Sequence, residues 1–171
     1  MITGKLASLR AINSEDLETL RAWRNEPCMR RFFREVAEIN KEKQQAWFEN
    51  RVLNDKNTIM LGIVDSKSQE LIGALGLCYI DWLDRHAEVS LYIGKDNAYV
   101  DDKFAPDALR LIIDYAFLEL NLNRLWAEVY ATDTAKARLL EENGFALEGI
   151  MKKKHFTGGA YVDSLIYGLV R

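Results

Sequence analysis

Apolar side chains between Phe104 and Leu120 return at helical spacing: Ala108, Leu109, Ile112, Ile113, Ala116, Phe117 and Leu120 share one stripe. The pattern predicts a long helix buried along one side, and Pro106 suits its first turn. Upstream the period changes to two. In "HAEVSLYIG", Ala87, Val89, Leu91 and Ile93 alternate with His86, Glu88, Ser90 and Tyr92, which predicts a strand. Before it, "TIMLGIV" and "ELIGALGLCYI" flank the polar "DSKSQ", a hairpin signal, so three strands follow one another. Nearer the start, "KLASLRAI" suits a first strand. Asn13 or Ser14 then caps a helix carrying Leu17, Leu20 and Trp23, and a second helix, Lys41 to Leu53, carries Trp47 and Phe48. After the long helix come the strand "RLWAEVYA", the helix "TAKARLLEEN" stopped by Gly144, and a last strand "YVDSLIYGLV" behind the turn "TGG". This order predicts a mixed sheet with helices on both faces, in the α+β or α/β class.

Bulk properties narrow the function classes. A chain of 171 residues, 49% hydrophobic and without a Pro/Gly/Ser-rich linker, suits one domain over residues 1–171. A net charge of -3 with both signs dispersed offers no broad footprint for nucleic acid. No apolar run approaches the roughly 20 residues that span a bilayer, so no membrane partner is expected. The N-terminus lacks an uninterrupted apolar stretch of the secretory kind, which makes the cytoplasm the expected location. Cys28 and Cys78 lack metal-binding spacing and are expected to be reduced packing residues; no metal is expected.

The element order, with "LRAWRNEPCMRRFF", "QQAWF", "IGALGL", "AEVSLYIG", "DALRLIIDYAFLELNLNRLWAEV", "LLEENGFALEG" and "GGAYVDS", resembles the GNAT N-acetyltransferases. Within them it is similar to the branch that acetylates ribosomal-protein N-termini, polyamines and amino sugars. The resemblance covers nearly the whole chain. It implies a mixed, mostly antiparallel central sheet in which two strands splay apart to admit acetyl-CoA as co-substrate. It implies that Leu91, Tyr92 and Ile93 present backbone to the acetyl carbonyl. The pyrophosphate is then expected on Tyr99, Val100, Asp101, Lys103, Phe104 and Ala105, with Asp133 and Lys136 also near the cofactor. Acceptor contacts are implied at Trp23, Arg24, Asn25, Arg30, Phe33 and Tyr79, and pairing of the last, exposed strand with a second copy is a further expectation.

Two departures from the family pattern bear on activity. The phosphate loop usually carries glycines, because bare amides must approach phosphate oxygens at the positive end of a helix. Here the corresponding positions are Val100, Lys103 and Ala105, with Asp101 and Asp102 between; two carboxylates oppose an anion, although the helix start offers its amides whatever the side chains are. The position of the family's tyrosine that protonates the departing sulfur holds Leu140, which cannot donate a proton. Water can supply it instead, at a cost of roughly a hundredfold or more in rate.

The remaining chemistry centres on Glu88, which matches a family position for a carboxylate that accepts the ammonium proton. Its alternative is a surface ion pair with Arg85 or Arg124. His86 shares the face and is the second candidate. Arg24, Arg30, Arg31 and Arg34 with Trp23, Phe32 and Phe33 form a basic, aromatic cluster that suits a nucleotide-linked amino sugar. A polyamine would meet those arginines unless Glu26, Glu35 and Glu38 outweigh them. Two functions stay open: acetyl transfer to a primary amine of a small molecule or a peptide N-terminus, or a GNAT-like binding or regulatory module that no longer turns over.

Overall fold

Alternating positions along β4 (Leu71–Asp81) and β5 (His86–Ile93) divide the interior into two layers. Leu75, Leu77, Leu91 and Ile93 face one side, where α4 (Phe104–Asp114, extended by a π turn through Glu119) lays down Ala108, Leu109 and Ile112. Leu109 and Ile112 are at most 1% exposed. Each such side chain contributes about 1.5–3 kcal/mol through burial. Ala74 and Tyr92 face the other side, against Leu20 of α1 (Leu17–Asn25) and Phe48, which opens the π turn after α3 (Lys41–Trp47). Helices therefore cover both faces of the sheet. This computed structural model describes residues 1–35 and 37–171.

The remaining elements are β1 (Ile2–Thr3), β2 (Ala7–Ala11), α2 (Pro27–Arg30), β3 (Ile59–Asp65), β6 (Arg124–Tyr130), α5 (Thr134–Glu142), β7 (Ala146–Thr157) and β8 (Ala160–Val170). Eight strands form one sheet in the order β1-β2-β3-β4-β5-β6-β8-β7. Every pairing is antiparallel except β5 with β6. Helix starts follow local chemistry: Asn13 and Asp16 close a capping box ahead of α1, and the Asn40 side chain accepts from Lys43 N at 2.9 Å. Asp107, in the first turn of α4, accepts from the amides of Leu6 and Ala7 at 2.8 Å each and ties the helix to β2.

The last strand in sequence is not the sheet edge. β8 lies between β6 and β7, so the exposed edge belongs to β7. Lys152, Lys153 and Lys154 on β7 blunt that edge, as charged side chains do for unpaired backbone.

Candidate active site

The parallel pair β5–β6 is registered over three residues only: His86 with Arg124, Ala87 with Leu125 and Glu88 with Trp126. Beyond that point β5 stays with β4 and β6 stays with β8, so the two strands part. The gap opens into a cavity of about 350 Å³ whose walls include Glu88, Leu91, Tyr92, Tyr99, Glu128 and Lys136. Its size and mixed lining suit a small-molecule site.

At the fork stand two carboxylates. Glu88 is 9% exposed, and burial pushes its carboxyl above the ordinary value, with the nearby Arg34 charge offsetting part of that and Glu128 adding to it. Glu128, one strand away and with a side chain only 6% exposed, goes the other way. Burial opposes its charge, yet hydrogen bonds from Lys154 and Ser164, contact with His155, and the Arg34 charge hold it down at about 2. Lys154 Nζ lies 2.7 Å and His155 Nε2 2.8 Å from Glu128 Oε1. Arg34 reaches over the mouth from the loop after α2 and touches both, at 3.4 Å from Glu88 and 3.1 Å from Glu128. Glu88 is thus paired with Arg34 and with neither Arg85 nor Arg124; Arg124 bonds Glu148 instead. His86 lies outside the cavity lining, at the β4–β5 turn beside Asp81 and Asp84.

The other end of the opening is built by the loop after β5. Past Gly94 this loop has no glycine, and it puts Asp96, Asn97 and Tyr99 in the left-handed region, at φ 55°, 54° and 59°. Asp and Asn tolerate that conformation; a tyrosine is held there against a cost of about 1–3 kcal/mol. Four contacts hold Tyr99. Its amide and carbonyl exchange 2.8 Å bonds with Ile93, its hydroxyl donates to Asp133, and its ring stacks on Phe32 at 4.1 Å. Ile93 therefore has its amide engaged by Tyr99, and the backbone left facing the gap is at Leu91. The Leu91 carbonyl accepts from Lys136 Nζ.

The start of α4 is not open to an arriving anion. Asp101 Oδ1 accepts from Phe104 N and Ala105 N, each at 2.8 Å, so a side-chain carboxylate already caps the helix. This corrects the expectation that the amides there are available whatever the side chains. Asp102 pairs with Arg138 at 2.6 Å, and Lys103 Nζ turns onto the Phe104 ring, 4.1 Å from its centroid.

Of the residues singled out from sequence, Glu88, Leu91, Tyr92, Tyr99, Asp133, Lys136, Arg24, Phe33 and Tyr79 line the cavity. Ile93, at the end of β5, and Val100, Asp101, Lys103, Phe104 and Ala105, in the loop and at the foot of α4, lie away from that lining. Trp23, Asn25 and Arg30 also lie outside the lining. Trp23 packs flat on Gly94, where any Cβ would strike its ring, and Asn25 bonds the Ile39 backbone in both directions at 2.8 Å. Arg24 is turned to Glu35 and sits 4.9 Å from the Phe33 ring. Glu128 is the site carboxylate not singled out beforehand, and Arg34, expected in the acceptor cluster, instead bridges the two carboxylates.

Acetyl-CoA asks for a gap that takes the acyl arm, polar groups at the thioester, and a cradle for the pyrophosphate. The first two requirements fit, through the β5–β6 fork with Leu91 and Lys136. At the third, the first amides of α4 are already bonded to the Asp101 carboxylate.

The family model for the acetyltransferase (GNAT) domain matches residues 9–166. Among curated relatives, a spermidine N(1)-acetyltransferase of Vibrio cholerae is 28% identical over 91% of this chain and 88% of its own. A putative ribosomal N-acetyltransferase of Bacillus subtilis is 32% identical over 68% of this chain and 62% of its own. In fold, the chain is similar to a spermidine N-acetyltransferase from Vibrio cholerae in complex with CoA and spermine, with a TM-score of 0.89 at 23% identity over 96% of this chain and 95% of that one.

Proposed function

The chain belongs to the GNAT acetyltransferase family, whose acyl donor is acetyl-CoA, and from that premise we propose that it acetylates the primary amine of a small, positively charged molecule, with Glu88 receiving the proton. The observation that carries this reading is the pair of buried carboxylates at the fork, Glu88 and Glu128, bridged by the one Arg34 side chain.

Two arginines of the basic cluster have carboxylate partners within the chain, which lessens the expected clash with a polycation. Arg24 is neutralised by Glu35, and Arg34 by Glu88 and Glu128. A substrate ammonium entering at the mouth replaces the Arg34 guanidinium between the two carboxylates. Glu128, held ionised, keeps a positive group in place; Glu88, whose buried charge is costly, is the better proton acceptor. The bound thioester supplies the activated acyl group. The likeness to spermidine acetyltransferases supports a polyamine-like acceptor over an acidic, nucleotide-linked sugar. The intact fork and the buried base support turnover over a binding module.

The test is a panel of amines with acetyl-CoA and purified protein, read by mass spectrometry. Product is expected from polyamines and not from phosphorylated amino sugars. A phosphorylated sugar acetylated in preference would overturn the charge assignment, and no acetylated product from any amine would overturn the transfer itself.

A further inference from the structure

Lys136, in the first turn of α5, carries the one amine among the described residues that lines the cavity, and base and anchor roles leave it unused. Its Nζ enters the gap between the parted strands and donates to the carbonyl of Leu91, a neutral partner. It also lies 5.0 Å from the centre of the Tyr99 ring. Aminolysis of a thioester needs two proton transfers, one from the attacking nitrogen and one to the departing sulfur. We infer that Lys136 is the catalytic residue that protonates the departing sulfur, an assignment that rests on the acetyl-transfer reading above.

Spacing supports the division of labour. Glu88 and Leu91 are three residues apart on β5, so their backbones lie roughly 10 Å apart along the strand, and the carboxylate and the ammonium bonded to the Leu91 carbonyl reach the same gap from different points on it. The amine nitrogen forms a bond to the acyl carbon as the carbon–sulfur bond breaks, its electron pair staying on sulfur. The substrate ammonium first loses one proton through Glu88 to solvent; as the neutral amine reacts, Lys136 gives its proton to the sulfur, Glu88 takes the second proton from the nitrogen, and solvent restores both residues.

Four other acidic groups of the cavity lining, Tyr92, Tyr99, Tyr130 and Cys78, are poor donors. Tyr92 and Tyr99 are pushed far up by burial, Tyr130 is raised by burial as well, and burial takes the Cys78 thiol to about 11. Tyr99 already gives its proton to a bond with Asp133. Burial lowers Lys136 to about 8, with the Asp133 charge opposing, which is close to an ordinary thiol at about 8.5. The groups facing Nζ are the Leu91 carbonyl from β5, the Tyr99 ring from the loop, and Asp133, which caps the same helix.

The test compares wild type with Lys136→Met and Lys136→Arg, using acetyl-CoA and a polyamine. Arginine keeps the charge and the hydrogen bond but does not release a proton near neutral pH. Both variants are expected to melt near the wild type, to lose about a hundredfold in kcat with little change in the donor's KM, and to lack the fall in rate expected of wild type above about pH 8. A nitrogen NMR titration, with the signal assigned by its loss in Lys136→Met, is expected to show Lys136 titrating near 8 in the free protein. Full activity of Lys136→Arg, an ordinary lysine titration, or an acetyl group found on Lys136 itself would each overturn the assignment. A wild type with no transfer activity sinks the acetyl-transfer reading, whereas an active wild type matched by both variants sinks only the proton donor.

Discussion

Glu88 and Glu128 stand on adjacent strands at one fork and share one arginine, yet their surroundings drive them apart. Glu88 has an apolar wall and a single long contact, so its proton is held more tightly than usual. Glu128 has Lys154, Ser164 and His155 from the β7–β8 hairpin besides Arg34, and it stays ionised down to about 2. Two like side chains acquire two jobs, one exchanging a proton and one holding charge, because one strand faces a hydrogen-bonding hairpin and the other faces the gap.

Removing the exchangeable proton site gives the largest effect on rate. Glu88→Gln is expected to lower kcat/KM by 10²–10⁴, in the usual range for a lost general base, while the melting temperature at neutral pH holds or rises. The sign follows from linkage: a carboxyl whose folded value is raised contributes stability at low pH and loses it as pH rises through that value, so neutralising it removes a cost. A drop of several degrees in the melt would show that Glu88 is chiefly a structural partner of Arg34.

Glu128→Gln is expected to break the comparison from the other side, costing about 2 kcal/mol of stability at neutral pH, since four partners lose a charged acceptor. Here the folded value is depressed, so the contribution is present above the ordinary value near 4.5 and fades as pH falls toward about 2. Chemical denaturation of both proteins at neutral pH and near pH 2 checks this: the gap between them should close in acid. A gap independent of pH would mean the loss is steric.

The smallest effect is expected at the foot of α4. Asp101→Ala removes a helix cap and should cost about 1 kcal/mol in the free protein. The same change frees two amides, so the thermal shift produced by CoA should grow. An unchanged shift would mean that the pyrophosphate is held elsewhere.

Most of the fold was legible because its signals are periodic. The stripe from Ala108 to Leu120 and the alternation from Ala87 to Ile93 report burial directly. The short α2 and the edge strand β7 were harder: four residues give no period, and "MKKKHF" reads as a solvated run because an edge strand needs no apolar face. At the site, Glu88, Leu91 and Lys136 were singled out and Arg34 was expected only in the acceptor cluster, but Glu128 was not. In "RLWAEVY" the alternation cannot say which polar residue lies where β5 and β6 part, and Arg34 arrives from a loop whose path no pattern fixes. Asp101 did leave a signal, an aspartate three residues ahead of a helix, which is a cap as readily as an obstacle to phosphate.

The most direct measurement is the pH dependence of kcat/KM for polyamine acetylation in wild type and Glu88→Gln. A rising acid limb in wild type, set by a carboxyl above the ordinary glutamate value and absent from a much slower Glu88→Gln, is the predicted result. The same acid limb in both proteins at comparable rates would contradict Glu88 as the proton acceptor, and with it the role assigned to the fork between β5 and β6.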